Sequence, residues 1–179
     1  MKPFTAYKCI VLDRDGVINE DSDEYIKSVD EWIPVPKAIA AIATIKQHGH
    51  LVCVATNQSG VGRGYYTLTE LHAMHAKLNA LLAEHGAALD GIYLCPHHPD
   101  DGCNCRKPNT GLLEQIARDH KLLPSEMLFL GDSKSDYDCA QAFGCDFVLV
   151  LTGKGPRSDA KLPADVVRVK DLPTFAEQS

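Results

Sequence analysis

Two aspartates stand two residues apart in "VLDRDGVIN", Asp13 and Asp15. They follow a short apolar run that reads as a buried strand, so an extended backbone turns both carboxylates the same way. Two such groups ionise together only where positive charge lies close by. A magnesium ion meets that need, because it prefers oxygen ligands and shares carboxylates with a phosphate. Asp132 and Asp136 in "GDSKSD" close another apolar run and are the further ligand candidates. Taken alone, each stretch also suits an acidic turn with an Asp helix cap. "TNQSG", Thr56 to Gly60, adds a hydroxyl, an amide and consecutive backbone N–H groups, a cradle for phosphate oxygens. Arg106 and Lys107 in "CRKP" bring positive charge to the same phosphate, and arginine also brings bidentate geometry.

A second cluster lies in "CPHHPDDGCNCRKP". Cys95 and His97 are separated by one residue, as are Cys103 and Cys105. Two close ligand pairs on one loop can close a tetrahedral zinc site. Four protein ligands leave no open position, so such a zinc is structural. A reduced loop with spare thiols, or an isolated disulfide, are the other readings, and His98 competes with His97 for the metal. The chain's seven cysteines are odd in number, which weakens a disulfide framework. The loop has few apolar residues with which to order itself, so a metal would fix the segment ending in Arg106 and Lys107.

The elements that must position these groups are legible from apolar runs. "YKCIVLD", "LVCVAT", "GIYLC", "MLFLGD" and "DFVLVLTG" predict five buried strands, and "DVVRV" a sixth, short and at an edge. Cys9 and Cys53 lie inside such runs and read as small buried hydrophobes. Between the strands, "PKAIAAIATIKQHG" predicts a helix with Pro36 in its first turn, Ile39, Ile42 and Ile45 on one face, and Gly49 at its end. Thr67 and Glu70 have capping-box spacing ahead of a stripe of Leu71, Met74, Leu78 and Leu81. "TGLLEQIARDH" and "YDCAQAFG" supply two more helices, the latter stopped by Gly144. Strands alternating with helices predict an α/β fold, a doubly wound, mostly parallel sheet of Rossmann-like type. Ligands then gather at the carboxyl ends of the strands, where "DRDG", "TNQSG" and "GDSKSD" all fall. No repeat or linker interrupts the pattern, so residues 1–179 read as one domain carrying the 95–105 loop. His72 and His75 share a helix face and read as solvated, and "TGKG" (Thr152–Gly155) reads as a turn.

Bulk properties narrow the class. A net charge of −6 argues against broad nucleic-acid or anionic-membrane binding. No apolar run is long enough to span a bilayer, and the N-terminus lacks a signal peptide's order, so a cytoplasmic protein is expected. A zinc knuckle for RNA or protein would want basic and exposed aromatic neighbours, whereas this loop carries Asp100 and Asp101.

"VLDRDGVIN", "ATNQSGVGRG", "CRKP" and "GDSKSD" resemble, in order, the four motifs of the haloacid dehalogenase-like phosphohydrolases, over roughly the first 150 residues. The resemblance implies a haloacid dehalogenase-type fold, here too short for an inserted cap domain, and an open site. It implies that Asp13 is the nucleophile, that Asp15 is the general acid and base, and that Thr56, Asn57 and Lys107 hold the phosphoryl oxygens. It places Mg²⁺ on Asp13, the Asp15 backbone carbonyl and Asp132, with Asp136 as a further candidate. Asn19, Asp21, Tyr25, Gln58, Ser59 and Arg106 follow as substrate contacts. Among the phosphohydrolases the short chain and the C-x-H…C-x-C loop are most similar to the branch acting on the 7-phosphate of heptose 1,7-bisphosphate, which favours His97 as the zinc ligand. The histidinol-phosphate branch carries a similar loop, and acidic Glu20, Asp21, Asp23 and Glu24 would suit its amine, whereas Arg106 suits a second phosphate. The expected partner is a small sugar bisphosphate, bound by a monomer. Two departures stand out: Ser133 follows "GD" where relatives often carry Lys, and "NEDSDEYI" is slightly expanded.

Overall fold

The computed structural model describes residues 2–178. Six parallel strands form one sheet in the order β3-β2-β1-β4-β5-β6. They are β1 (Cys9–Leu12), β2 (Leu51–Asn57), β3 (Gly91–Cys95), β4 (Met127–Gly131), β5 (Asp146–Val150) and β6 (Val167–Val169). The α-helices are α1 (Ala38–Gln47), α2 (Ser59–Gly62), α3 (Leu68–Glu84), α4 (Gly111–His120), α5 (Lys134–Phe143), α6 (Gly155–Asp159) and α7 (Leu172–Ala176).

Alternation along the central strands sorts two apolar layers. Ile10, Leu12, Val52, Val54, Leu128 and Leu130 join Ile42 and Ile45 of α1 and Leu71, Met74 and Leu78 of α3. Cys9, Val11, Cys53, Ala55, Met127 and Phe129 face the other way, against Leu112, Leu113 and Ile116 of α4 and Cys139 and Ala140 of α5. Cys9 and Cys53 are fully buried, as small hydrophobes should be. Among the described residues no helix is long and apolar enough to cross a membrane.

Three local expectations need correction. Pro36 lies before α1, not in its first turn, because Lys37 takes a left-handed conformation (φ 65°) as the N-cap. Leu82 rather than Leu81 completes the fully buried stripe of α3. α5 begins at Lys134, three residues earlier than "YDC" suggests. Its cap explains Ser133: the hydroxyl accepts from Asp136 N (3.3 Å) while Asp136 Oδ2 accepts from Ser133 N (3.1 Å), a reciprocal capping box. The Thr67–Glu70 box and the Gly144 stop form as read.

β1 lies between β2 and β4, so the chain order reverses there. The crevice at the carboxyl ends of β1 and β4 is where such a sheet binds ligands. Asp13 follows β1 and Asp132 follows β4.

Candidate active site

Asp13 and Asp132 directly follow strands β1 and β4, Asp136 stands in the first turn of α5, and Lys107 lies on the connection between β3 and α4. Asp13 N continues the ladder to Leu130 O (2.9 Å), which carries the carboxylate past the sheet beside β4. Its Oδ1 accepts from Arg14 N (2.7 Å) and meets Lys107 Nζ at 3.0 Å. Lys107 is almost wholly buried and also contacts Asp136 Oδ1 (2.6 Å) and the Ala55 carbonyl (2.8 Å). Asp132 Oδ2 accepts from Lys154 N (2.7 Å). Gly16 completes the packing: at φ 84°, an added Cβ would stand 2.0 Å from Asp132 Oδ2, so only glycine fits.

Asp13, Asp132 and Asp136 place carboxylate oxygens within 4.8 Å of one another. Burial, then the neighbouring carboxylates, push Asp132 up to about 8. Burial pushes Asp13 up to about 7, Lys107 working against it. Burial opposes the Lys107 charge, but Asp13 and Asp136 outweigh it and hold the ammonium protonated. One lysine thus leaves excess negative charge in a buried cluster, and a hard divalent cation with oxygen ligands is the group that relieves it. Magnesium fits. Both oxygens of Asp136 already have protein partners, in Lys107 and Ser133, so Asp13 and Asp132 are the better ligands.

Asp15 has a different surrounding. Arg14 Nη2 donates to both its oxygens (2.8 and 3.1 Å) and Arg14 Nε to Oδ1 (3.2 Å). Asn19 Nδ2 donates to Oδ1 (2.9 Å) and Gln58 Nε2 to Oδ2 (2.7 Å). Burial raises the Asp15 pKa, but the Arg14 charge and these donors outweigh it and hold the group low. Asn19 is fully buried, and Thr56 Oγ1 is occupied by Gln58 Nε2 (2.8 Å). Asn57 grips the Lys107 backbone from both sides, accepting from its N–H (3.0 Å) and donating to its carbonyl (3.1 Å).

A cavity of about 320 Å³ opens over these groups, lined by Asp13, Asp15, Asp21, Tyr25, Asn57, Gln58, Ser59, Arg106, Lys107 and Asp132. Asn19 and Thr56 lie behind that wall. Arg106 lines it too, and its Nη1 is buried without a hydrogen-bond partner. Lys154 also lines the cavity and pairs with Asp21 (3.1 Å). "TGKG" is therefore a turn, and one that reaches the site. The reading of His75 as solvated is wrong: it is buried, with Nε2 3.3 Å from Arg14 Nη1. Four contributors are not assigned from sequence. Arg14 stands in plain view within "DRDG", and Lys154 sits at a polar strand end, where the strand-end rule points. Tyr66, in the turn ahead of α3, and His75, within α3, carry no signal beyond those elements.

The Cys/His loop is built as expected. Cys95 Sγ lies 3.5 Å from His97 Nδ1 and 3.5 Å from Cys103 Sγ, and His97 Nδ1 lies 3.3 Å from Cys105 Sγ. All four ligand atoms fall within 4.8 Å of one another, and the cysteines are free thiols. His98 instead accepts from Asp100 N (3.2 Å) and caps a short turn, so the loop offers His97 to the cluster. The interleaved donors hold Cys103 down at about 7 despite desolvation, while burial lifts Cys105 to about 12. Converging thiols of this kind fit zinc.

Residues 104–174 match a family model described as HAD-hydrolase-like. A D-glycero-β-D-manno-heptose-1,7-bisphosphate 7-phosphatase of Pseudomonas aeruginosa is 53% identical over 93% of this chain and 94% of its own. The chain belongs to this phosphatase family of the haloacid dehalogenase-like hydrolases. A second family member, from Pseudomonas putida, is 49% identical over 96% of this chain and 98% of its own. The fold agrees. The crystal structure of the D,D-heptose 1,7-bisphosphate phosphatase from B. bronchiseptica, complexed with magnesium and phosphate, superposes with a TM-score of 0.92 at 44% identity, covering 96% of this chain and 97% of that one.

Proposed function

We propose that this chain is a Mg²⁺-dependent phosphatase that removes the 7-phosphate of D-glycero-D-manno-heptose 1,7-bisphosphate, an activity of lipopolysaccharide-core heptose synthesis. The observation that carries the reading is the buried Asp13–Asp132–Asp136–Lys107 constellation at the β1/β4 crevice, in a chain 53% identical to a protein of that name. Relatives at 44–53% identity bear the β-anomer in their names, and we assign the β-anomer as substrate.

An Asp13 oxygen attacks phosphorus, the ester P–O bond breaks, and an aspartyl-phosphate forms. Asp15 is ionised in the free site and takes up a proton as the phosphate brings negative charge beside it. It gives that proton to the leaving sugar oxygen, then takes one from the water that breaks the bond between Asp13 and phosphorus and releases phosphate. Lys107 neutralises Asp13 and meets charge that shifts onto the phosphoryl oxygens. Asn57 acts by fixing the Lys107 backbone. Bound to Asp13, Asp132 and the Asp15 carbonyl, Mg²⁺ supplies Lewis-acid charge that screens the approach of a carboxylate to a phosphate dianion. Arg106, a cation lining the cavity, is the partner for the substrate's second phosphate, with Asp21 and Tyr25 along the sugar. Zinc on Cys95, His97, Cys103 and Cys105 would hold the loop that presents Arg106 and Lys107.

The test is phosphate release with Mg²⁺ from heptose 1,7-bisphosphate (both anomers), fructose 1,6-bisphosphate and histidinol phosphate. The β-heptose is expected to give the highest kcat/KM. A preference for histidinol phosphate would replace the substrate assignment and leave the phosphatase class standing.

A further inference from the structure

We propose that Tyr66 and His75, presented by and just ahead of α3, are positioning residues for Asp15, acting through Gln58 and Arg14. The inference rests on the reading of Asp15 as general acid and base. A glutamine amide has two nearly isosteric ends, and only one of them donates. Turned the wrong way, Gln58 would set its oxygen against the Asp15 carboxylate. The acceptor-only Asp15 carboxylate selects Nε2, and Tyr66 locks that choice from the other end: its hydroxyl donates to Gln58 Oε1 at 2.6 Å and anchors the amide while Nε2 donates to Asp15 Oδ2 (2.7 Å) and Thr56 Oγ1 (2.8 Å). Tyr66 and Gln58 are 5% and 2% exposed, so water does not readily substitute for either partner. The close approach is specified in the chain, since a Cβ on Gly60 would lie 2.1 Å from the Tyr66 ring.

His75 serves the other donor. Arg14 spends Nε and Nη2 on Asp15, and its Nη1 meets His75 Nε2 at 3.3 Å. A neutral imidazole accepts from a guanidinium, whereas a charged one would repel it. Burial, and then the Arg14 charge, hold His75 at about 4, so it is the acceptor form that packs there. The guanidinium plane is then fixed at both ends. One contact from α3 and one from the turn just ahead of it thereby fix the two donors that set the direction of the carboxylate that must reach the leaving oxygen.

The leaving group separates this role from a structural one. In the first step the Asp13–phosphorus bond forms, the P–O ester bond breaks, and the Asp15 proton passes to the leaving oxygen. An alkoxide needs that proton, and p-nitrophenolate does not. We would measure single-turnover phosphoryl transfer, kcat and KM for heptose bisphosphate, glycerol phosphate and p-nitrophenyl phosphate with Tyr66→Phe, His75→Leu and His75→Gln. Tyr66→Phe and His75→Leu are expected to slow alkyl-phosphate turnover about 10-fold at near-constant KM, a fraction of what general acid catalysis contributes. p-Nitrophenolate release in a single turnover should change less than about twofold, and His75→Gln, which keeps an acceptor, should recover most of the loss. Wild-type alkyl turnover in both variants, or equal losses on alkyl and aryl esters, would overturn the proposal. Failure of the substrate assignment looks different: the wild-type protein would spare heptose bisphosphate, and the glycerol-to-nitrophenyl ratio would still report on Asp15.

Discussion

The molecule contains two clusters whose donor atoms converge, and they are assembled in opposite ways. The Cys/His cluster lies within residues 95–105, on one loop. The carboxylate cluster draws Asp13, Asp132 and Asp136, and its Lys107, from three connections of the sheet. The first needs only a short loop to curl, and a metal on its four donor atoms would supply the order that its few apolar side chains do not. The second is held by the sheet itself, whose central strands are fully buried. A local cluster can take its geometry from ligation, whereas a dispersed one takes it from the core. The two meet at Arg106 and Lys107, where the loop ends inside the catalytic crevice.

That contrast is broken most directly at its centre. Asp13→Asn should lower kcat on the order of 10⁴-fold or more, because the proposed nucleophile is removed from a unit whose members act together. Circular dichroism and melting should stay native, and turnover within tenfold of wild type would remove the covalent mechanism. Cys103→Ala addresses the local cluster. Zinc content measured by mass spectrometry should fall, and kcat should drop roughly 10–100-fold through a misplaced Lys107, with the sheet intact. Full activity in zinc-free protein would show that the loop needs no metal. Asn57→Ala cuts the clip between the two regions. Two hydrogen bonds of about 1 kcal/mol each are lost, so a kcat decrease of up to about 30-fold is expected, with zinc retained.

The smallest effect is a pH dependence of melting. Asp13 and Asp132 are raised to about 7 and about 8 from an ordinary value near 4, so the folded chain binds protons that the unfolded chain has released. Stability in Mg²⁺-free buffer should therefore fall as pH rises through about 4 to 8, where each group ionises in the fold. Added Mg²⁺ should raise Tm more at pH 8.5 than at pH 6, by roughly 3–6 °C. An equal shift at both pH values would mean that the cation does not relieve those carboxylates.

Local features of the chain are legible in its sequence. The strand runs, the α3 cap and stripe, and the Gly144 stop depend on residues close in sequence, and each forms with small shifts at its edges. The unit spacing of Cys95 with His97 and Cys103 with Cys105 likewise reports local geometry. Ser133, a departure within its motif, is explained by its partner: Asp136 is the reciprocal half of a helix cap. His75 escapes a sequence reading because helical periodicity places a side chain on a face without saying what stands opposite. Opposite it stands Arg14, 61 positions away. Asn19 and Gln58, expected as substrate contacts, donate to Asp15, a role that no spacing encodes.

The sequence by itself determined the element pattern, the parallel sheet, the metal-type loop and the residue types at three strand ends, because these rest on periodicity, caps and short-range spacing. Only the tertiary structure decided how those ends serve one another: Lys107 between Asp13 and Asp136, Lys154 on Asp21, and Tyr66 and His75 behind Asp15. The reason is physical. Which strands become neighbours is set by the packing of two apolar layers along the whole chain, and a buried polar group takes its partner from whatever that packing brings within about 3 Å.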